Sequence, residues 1–446
     1  GAYAVFTEQG TSASHMAATK FLDIIARAPG CKGEDADAMS AYTQIKLADA
    51  HKILGTDVLP ETWISLPRNK HPASWAGIED PVCPLLRNLY GHPLAGLLWD
   101  KGSQILIKKA GFEKVKGWES LYVHREMKLF LGVYVDDFHM AGDSDNMDKM
   151  WKRLKLHIQL DDPVPFNNNK YLGCTQVDVS PDDSMCTSKT KIFDGIENTN
   201  LKYHEATADA DIDDPCAPPK RKKPSIKKAL AARQEGTPPR KSGASPRKTK
   251  AWEYRMEGAV ESAVDRYLEL ASLKVDTLKK VATPCLDDHV IPAEDFMKGG
   301  HLSSKASKIV LKALYAARLA RPDLLWTVNT LAREVTKWTV ACDKRLHRLM
   351  SYMHHTKNHV MTSHLGDELN ECKLYMFCDA GFAGDLRDSK STSGVILCLC
   401  GPNTFCPLSW ICKKQGAVSH SSTEAEVIAM DAGMRIEAMP MLMLWE

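Results

Sequence analysis

Apolar and β-branched residues dominate positions 129–141, and two adjacent acids, Asp136 and Asp137, interrupt them at the centre. Because Asp is disfavoured inside strands, this pattern predicts two antiparallel strands joined by a tight turn with both acids at its tip. Another strand is predicted at residues 120–124. Apolar residues at helical spacing downstream predict an amphipathic helix; they are Met147, Met150, Trp151, Leu154 and Ile158.

Helical and strand patterns also alternate along the rest of the chain. A helical period predicts a helix at residues 14–27, and residues 169–177 read as extended. Further helices are predicted at residues 252–279, 304–320, 324–338 and 344–354. Strands are then predicted at residues 373–378, 394–400 and 408–414, before a helix that opens with the capping box Ser421-Ser422-Thr423-Glu424. The order of elements predicts an α+β, multidomain protein.

Composition narrows the class of protein. The chain has 446 residues, long enough for several domains, and its hydrophobic content of 44% is ordinary for a globular protein. No apolar run approaches the roughly 18 residues of a membrane helix, and no signal peptide pattern opens the chain, so we expect neither membrane insertion nor secretion. The thirteen cysteines include no C-x-x-C pair, which argues against a zinc ribbon and a disulfide framework. Reduced thiols in the cytosol or nucleus are therefore expected.

Charge is distributed unevenly. Between Lys220 and Lys250 there are twelve Lys or Arg residues and one acid, although the whole chain carries only +2. Residues 204–250 are also rich in proline and too polar to bury a core, so they are predicted to be a disordered insertion. The stretch 219–224 has the form of a nuclear-localisation or nucleic-acid patch. A solvated linker, or sequence wrongly retained in a gene product, explains it equally well.

Paired carboxylates at a rigid turn suggest metal chemistry. Carboxylate oxygens bind hard divalent cations, and two ions about 3.5–4 Å apart can clamp the oxygens of a phosphoryl transfer. A third acid is needed, and the strand-to-helix junction at residues 34–42 supplies Asp35 and Asp37 as candidates. From the residues alone, Asp136 and Asp137 could equally form only a turn, and Tyr42 could be a core aromatic.

The tetrad Tyr134-Val135-Asp136-Asp137, set between apolar strands and followed by an amphipathic helix, resembles the palm of a reverse transcriptase, most closely that of copia-type retrotransposons. The resemblance favours Asp37 as the third acid, because Tyr42 then lies five residues later, at the family spacing. It implies that the three acids hold two Mg²⁺ ions, with Mn²⁺ as a substitute, and that Tyr42 and Tyr134 bind nucleotide. The Tyr42 ring would exclude a ribonucleotide 2′-hydroxyl.

Two departures from this family are visible. In the segment 89–99, which resembles the nucleotide and template side of the palm, Leu94 stands where the family usually has Gln, and His92-Pro93 replace an apolar-basic pair. The basic strand pair of the fingers, which grips the triphosphate in the family, is not found before this point. We therefore expect a fragment whose activity on its own is uncertain.

The C-terminal region resembles the ribonuclease H domain of copia-type elements. The matching motifs, in order, are Cys378-Asp379-Ala380, Ser391-Thr392-Ser393-Gly394, Ser409-Trp410, Lys413-Lys414-Gln415 and Ser421-Ser422-Thr423-Glu424-Ala425-Glu426. The resemblance implies that Asp379 and Glu426 are two of four metal-binding acids, with Glu424 nearer the helix cap. The other two acids are expected beyond residue 446.

The resemblance implies five segments. They are a palm at residues 1–160, a thumb-like segment at 161–203, the insertion at 204–250, a helical connection at 251–372 and an incomplete ribonuclease H-like α/β domain at 373–446. The implied function is RNA-directed DNA synthesis, with an RNA template, a DNA primer, RNA–DNA hybrid, deoxynucleoside triphosphates and the rest of a Pol polyprotein as partners. A cytoplasmic or particle-bound location with nuclear entry is expected. The alternative is a degenerate or co-opted product that binds nucleic acid without catalysis.

Overall fold

The computed structural model describes residues 16–56, 61–181, 249–385 and 388–446, together with Met185, Thr187 and Lys189. The predicted basic insertion at residues 204–250 lies outside the described residues, apart from Thr249 and Lys250. Most of the predicted thumb-like segment after residue 181 lies outside them too. In the part of the chain that is described, no helix is both long and apolar enough to cross a bilayer.

Helices and strands are numbered in chain order. The helices are α1 (Met16–Ile25), α2 (Ala50–Leu54), α3 (Ala95–Lys109), α4 (Ser144–Lys155), α5 (Glu257–Ala271), α6 (Ala306–Leu319), α7 (Leu325–Arg333), α8 (Val340–His355), α9 (Ser422–Gly433) and α10 (Met439–Trp445). The strands are β1 (Cys31–Asp37), β2 (Trp63–Ser65), β3 (Val82–Pro84), β4 (Glu113–Lys114), β5 (Leu121–His124), β6 (Leu129–Tyr134), β7 (Asp137–Asp143), β8 (Val164–Pro165), β9 (Lys170–Tyr171), β10 (Cys174–Val179), β11 (Lys250–Arg255), β12 (Met361–Leu365), β13 (Lys373–Gly381), β14 (Thr392–Gly401) and β15 (Thr404–Lys414).

The predicted hairpin is confirmed, and it lies in the middle of a sheet. Strands β4, β5, β6, β7, β1 and β8 are neighbours in that order, so β7 is paired on both sides. The turn is shifted by one residue from the prediction: Val135 and Asp136 form it, while Asp137 already pairs with Tyr134 as the first residue of β7. The amphipathic helix that follows is α4, whose first turn is capped by the Asp143 side chain.

A second sheet joins distant parts of the sequence. Its strand order is β13-β14-β15-β12-β11-β10-β9. Strands from the predicted thumb-like segment, the helical connection and the ribonuclease H-like region therefore pair within one sheet. Helix α1 contacts β6 and β7 of the first sheet and β15 of the second, so it lies between them. A shared core includes Phe21 from α1, Trp252 from β11 and Leu397 from β14.

The predicted helix at residues 252–279 is wrong at both ends. Residues Lys250–Arg255 form β11, in which Trp252 and Tyr254 are buried while Glu253 is only partly covered. Ala251 is buried as well, but from Trp252 onward burial alternates every second residue, as in a strand, and β10 and β12 supply the pairing partners. Helix α5 ends at Ala271, where Ser272 adopts a left-handed conformation (φ 55°).

The motif Arg321-Pro322-Asp323 has a structural role between α6 and α7. The Arg321 guanidinium, only 2% exposed, donates to both carboxylate oxygens of Asp323 and to the carbonyl and hydroxyl oxygens of Thr356. Pro322 occupies the first turn of a short 3₁₀ helix, where its missing N–H costs nothing. The motif therefore joins the α6–α7 connection to the end of α8.

Gly142 in β7 gives a stability prediction. Its φ is +145°, and an added Cβ would lie 2.2 Å from the backbone carbonyl oxygen of Lys128. We expect Gly142→Ala to lower the free energy of unfolding by about 2–3 kcal/mol, because the backbone itself must shift. Gly258→Ala is the control, since its Cβ meets nothing within 4 Å and alanine favours helix by up to about 1 kcal/mol. Urea unfolding of both variants tests this, and equal stabilities would contradict it.

Candidate active site

Pairing between β1 and β7 brings the predicted acids together. The two strands are antiparallel, and their register places Asp37 directly opposite Asp137. The backbone N–H of Ala38 donates to the carbonyl oxygen of Asp136 at 2.8 Å, which extends the pairing past the end of β1 into the turn. Residues separated by about 100 positions in sequence therefore meet where β1 ends and β7 begins.

The turn that carries Asp136 is held by a buried tryptophan. Val135 has φ 58°, a left-handed conformation that is unfavourable for a β-branched residue by about 1–3 kcal/mol. The Trp99 indole Nε1, on α3, donates to the Val135 carbonyl oxygen at 2.5 Å, and the Trp99 side chain is 1% exposed. Trp99 thus stabilises the strained turn through this hydrogen bond. The family resemblance places residues 89–99 on the nucleotide and template side of the palm and does not predict this role.

The acids concentrate negative charge. Burial, reinforced by the carboxylates of Asp37 and Asp136, raises the pKa of Asp137 to about 7. Burial also raises the pKa of Asp37; a hydrogen bond with Asp137 opposes this rise, while nearby Asp161 and Asp136 add to it. The backbone N–H of Asp37 donates to Asp161 Oδ1 at 2.7 Å, which keeps that fourth acid close.

Hard oxygen ligands crowded in this way suit divalent cations, because a cation would relieve their repulsion. Asp37 is exposed, and Asp136 and Asp137 are half-buried, so the site is reachable from solvent. Within the described ranges, no three His, Cys, Asp or Glu side chains already stand in a metal-binding arrangement.

Asp35, the other candidate for the third acid, does not lie with Asp136 and Asp137. Its carboxylate is buried, and it accepts hydrogen bonds from His139 Nδ1 at 2.5 Å and from Asn169 Nδ2 at 2.7 Å. Burial by itself would lower the pKa of His139, but the carboxylates of Asp35 and Asp23 outweigh it and raise that pKa to about 9. Asp35 therefore belongs to a buried group of charges behind the three acids. Its signal in the sequence was a histidine within an apolar strand, which the sequence reading did not use.

The two predicted nucleotide-binding tyrosines lie near the acids. Tyr42 is half-buried in a short 3₁₀ helix, with its ring 4.4 Å from that of Tyr90. Burial raises the pKa of Tyr42, and the neighbouring Tyr90 and Asp136 add to the rise. Tyr134 is the last residue of β6 and pairs with Asp137.

The unusual residues at the start of α3 have structural roles. Leu94 is 5% exposed and packs in the core beside α3. His92 Nδ1 accepts a hydrogen bond from the Leu94 backbone N–H at 3.2 Å. These residues therefore begin α3, the helix that carries Trp99.

In the C-terminal region, α9 packs against β13 and β14. Asp379 is exposed near the end of β13, opposite Gly394, and Glu426 is exposed on α9. Burial raises the pKa of the Cys378 thiol, and the carboxylates of Glu426 and Asp379 add to the rise. The structure thus brings the two predicted acids to the same region.

Other residues of the C-terminal motifs hold α9 in place. The buried amide of Gln415 donates to Ser393 Oγ at 3.0 Å and to the Ala425 carbonyl oxygen at 2.9 Å. Ser421 Oγ caps α9 by accepting from the Glu424 backbone N–H at 3.1 Å. The Glu424 carboxylate accepts from the His420 N–H rather than from Ser421, so only half of the predicted capping box forms.

Comparisons with known proteins match the part of the chain that contains the hairpin. Residues 53–192 match the family model for reverse transcriptase (RNA-dependent DNA polymerase). Over 158 residues, the chain is 33% identical to the retrovirus-related Pol polyprotein from transposon RE1 of Arabidopsis thaliana and 34% identical to that from transposon RE2. Each match covers 35% of this chain and 10% of the polyprotein. A putative transposon Ty5-1 protein of Saccharomyces cerevisiae is 22% identical over 369 residues, or 80% of this chain and 91% of that protein.

The family match covers only some of the candidate residues. Asp136 and Asp137 lie inside the family match, whereas Asp37 and Tyr42 precede it and the C-terminal acids follow it. The chain spans about a tenth of the length of the two Arabidopsis polyproteins.

Charge crowding at the acids gives a pH prediction. The pKa of Asp137 is raised from 3.8 to about 7, so ionising this group opposes folding, and metal-free stability should fall as pH rises through that interval. Asp137→Asn keeps the size of the side chain and removes the charge. We expect it to raise the thermal midpoint by a few degrees at pH 8 in EDTA, and to have less effect at pH 5. Circular dichroism measures both midpoints.

Asp145→Asn is the matched control, because Asp145 is exposed on α4 and should show no such gain. A midpoint for Asp137→Asn at or below that of the parent at pH 8 would contradict the prediction. Addition of Mg²⁺ should stabilise the parent more than Asp137→Asn.

Proposed function

This chain belongs to the reverse transcriptase family of copia-type retrotransposon Pol polyproteins, and we propose that it is an RNA-directed DNA polymerase centred on Asp37, Asp136 and Asp137. The observation that carries the proposal is the β1–β7 register, which sets Asp37 opposite Asp137 at a hairpin with Asp136 in its turn. An acidic turn without this partner strand would support only a structural role.

The proposed reaction is attack of a primer 3′-hydroxyl on the α-phosphate of a deoxynucleoside triphosphate, with pyrophosphate leaving. Asp37, Asp136 and Asp137 would hold two Mg²⁺ ions, or Mn²⁺ in their place. Such ions, when bound, neutralise charge on the phosphates and favour ionisation of the hydroxyl. The three carboxylates supply the charge and the oxygen ligands for this site, and Trp99 keeps the turn that carries Asp136 in place.

The tyrosines would bind the nucleotide. Tyr42 follows β1 in a short 3₁₀ helix and its ring packs against that of Tyr90, which supports a role for Tyr42 at the nucleotide. A rigid ring there would exclude a 2′-hydroxyl and select deoxyribonucleotides. Tyr134, next to the turn, would contact the nucleotide or primer end.

For the C-terminal region we propose part of a ribonuclease H site that acts on the RNA strand of an RNA–DNA hybrid. Support comes from the antiparallel β13–β14–β15 arrangement with α9 packed on it, since β13 carries Asp379 and α9 carries Glu426. These two acids would bind Mg²⁺ together with further carboxylates. The proposed partners are the RNA template, the DNA primer and other parts of the Pol polyprotein, and the proposed location is the cytoplasm or an element particle, with nuclear entry.

The polymerase proposal is tested by primer extension. The 446-residue protein should extend a DNA primer on an RNA template with Mg²⁺, and Asp136→Asn should slow extension by at least about 100-fold, since it removes a charge that the metal site requires. The matched control, Asp145→Asn, should extend at the parental rate. Extension by Asp136→Asn at the parental rate would contradict the proposal.

A second readout separates catalysis from binding. Fluorescence anisotropy with a labelled RNA–DNA primer–template measures binding without chemistry. If the parent binds this duplex yet does not extend it, a co-opted binding protein becomes the better account.

The sugar-selection role of Tyr42 has its own test. Tyr42→Ala should raise the relative kcat/KM for a ribonucleotide at least about tenfold, because the ring no longer blocks the 2′-hydroxyl, while use of the deoxynucleotide changes less. Tyr375→Ala, on β13, is the control for loss of a tyrosine ring away from the acids. Unchanged discrimination in single-nucleotide incorporation by Tyr42→Ala would return Tyr42 to a packing role.

A further inference from the structure

Behind the three acids lies a buried polar cluster, which consists of Asp23, Asp35, His139, Asn169, Gln176 and Tyr254. His139 is its centre: Nδ1 is 2.5 Å from Asp35 Oδ1, and Nε2 is 3.1 Å from Asp23 Oδ1. Asp23 also accepts from the Gln176 amide at 2.7 Å and from the Tyr254 hydroxyl at 2.8 Å. Asp23 and His139 are 0% exposed, so this hydrogen bonding replaces all contact with water.

The cluster joins the two sheets. Asp35 and His139 belong to β1 and β7 of the first sheet, whereas Gln176 and Tyr254 belong to β10 and β11 of the second. Asp23 lies on α1, between them. A buried charge is stable only when it is paired and hydrogen-bonded, and the second sheet supplies two of the donors to Asp23, so a loss of packing between the sheets here would leave this carboxylate undersatisfied.

The cluster acts on the same strand pair that carries the candidate catalytic acids. Asp35 is opposite His139 in the register, and Asp37 is opposite Asp137 two residues later. Because side chains alternate along strands, these two pairs lie on one face of the sheet, roughly 7 Å apart along the strands. A hydrogen bond between Asp35 and His139 therefore fixes the separation of β1 and β7 directly behind Asp37 and Asp137.

Aromatic rings restrict the histidine further. The His139 ring stacks on Phe166 with a centroid distance of 3.9 Å and an interplanar angle of 3°, and on Tyr171 with a centroid distance of 4.4 Å. The ring cannot turn without breaking these contacts and both of its hydrogen bonds. The cluster is consequently rigid as well as buried.

We propose that Asp23 and His139 are positioning residues, which transmit the packing of α1 and the second sheet to the β1–β7 pair and so fix the spacing of the catalytic acids. The functional part of this inference rests on the proposed polymerase function. Neither residue contacts substrate in the proposal; each acts through the strands that carry Asp37 and Asp137.

The experiment compares Asp23→Asn and His139→Gln with Asp323→Asn, all in the full chain. Asp323→Asn is the matched control, because it weakens an ion pair with the buried Arg321 in the helical region. Amide hydrogen exchange of peptides covering β1 and β7, read by mass spectrometry, reports the strand pairing without any metal. Mn²⁺ affinity by calorimetry and kcat against KM in primer extension report the consequence at the acids.

We expect both cluster variants to accelerate exchange in β1 and β7 at least about tenfold beyond any change elsewhere, whereas the control should leave these strands protected. Mn²⁺ affinity and kcat should fall in the cluster variants, with KM for nucleotide nearly unchanged. If His139→Gln does not fold, the isosteric Asp23→Asn decides.

Two outcomes would overturn the inference: exchange in β1 and β7 that matches the control, or exchange that rises equally throughout the chain. If the parent neither binds Mn²⁺ nor extends a primer, the proposed function fails. The exchange result then still decides whether the cluster fixes β1 against β7.

Discussion

Antiparallel pairing of β1 with β7 is the constraint on which the candidate site depends. It joins a strand near the start of the chain to the second strand of the hairpin, and its register alone determines that Asp37, rather than Asp35, stands opposite Asp137. A shift of one residue would send Asp37 to the other face of the sheet. The contacts of Trp99, Ala38 and His139 all reinforce this one strand pair or its turn.

The strand pair carries two groups of charged side chains, which differ in how their charges are compensated. In the buried cluster, His139 lies between Asp23 and Asp35, so each charge has a partner and water is excluded. At the end of β1 and the start of β7, Asp37, Asp136 and Asp137 lie close together, and burial, together with repulsion from the neighbouring carboxylates, raises the pKa of Asp137. Unrelieved repulsion of this kind destabilises a fold and is typical of a functional site.

The C-terminal motifs divide in a similar way between chemistry and support. Gln415 donates a hydrogen bond to α9 and Ser421 caps that helix, whereas Asp379 and Glu426 remain exposed. Arg321 is likewise a structural residue, since its buried guanidinium donates to Asp323 and Thr356. A recognisable motif therefore contains residues that build the scaffold as well as candidates for catalysis.

The sequence by itself determined the local features: the hairpin at Asp136, the amphipathic helix α4, and the resemblance of the hairpin region to reverse transcriptases. These follow from short-range periodicity and turn preferences, which neighbouring residues decide. Only the tertiary structure decided that residues 250–255 form a strand, that Asp35 is buried against His139, and that Trp99 supports the turn. Each of these depends on a partner tens to hundreds of residues away, and local sequence does not encode which distant segment supplies it.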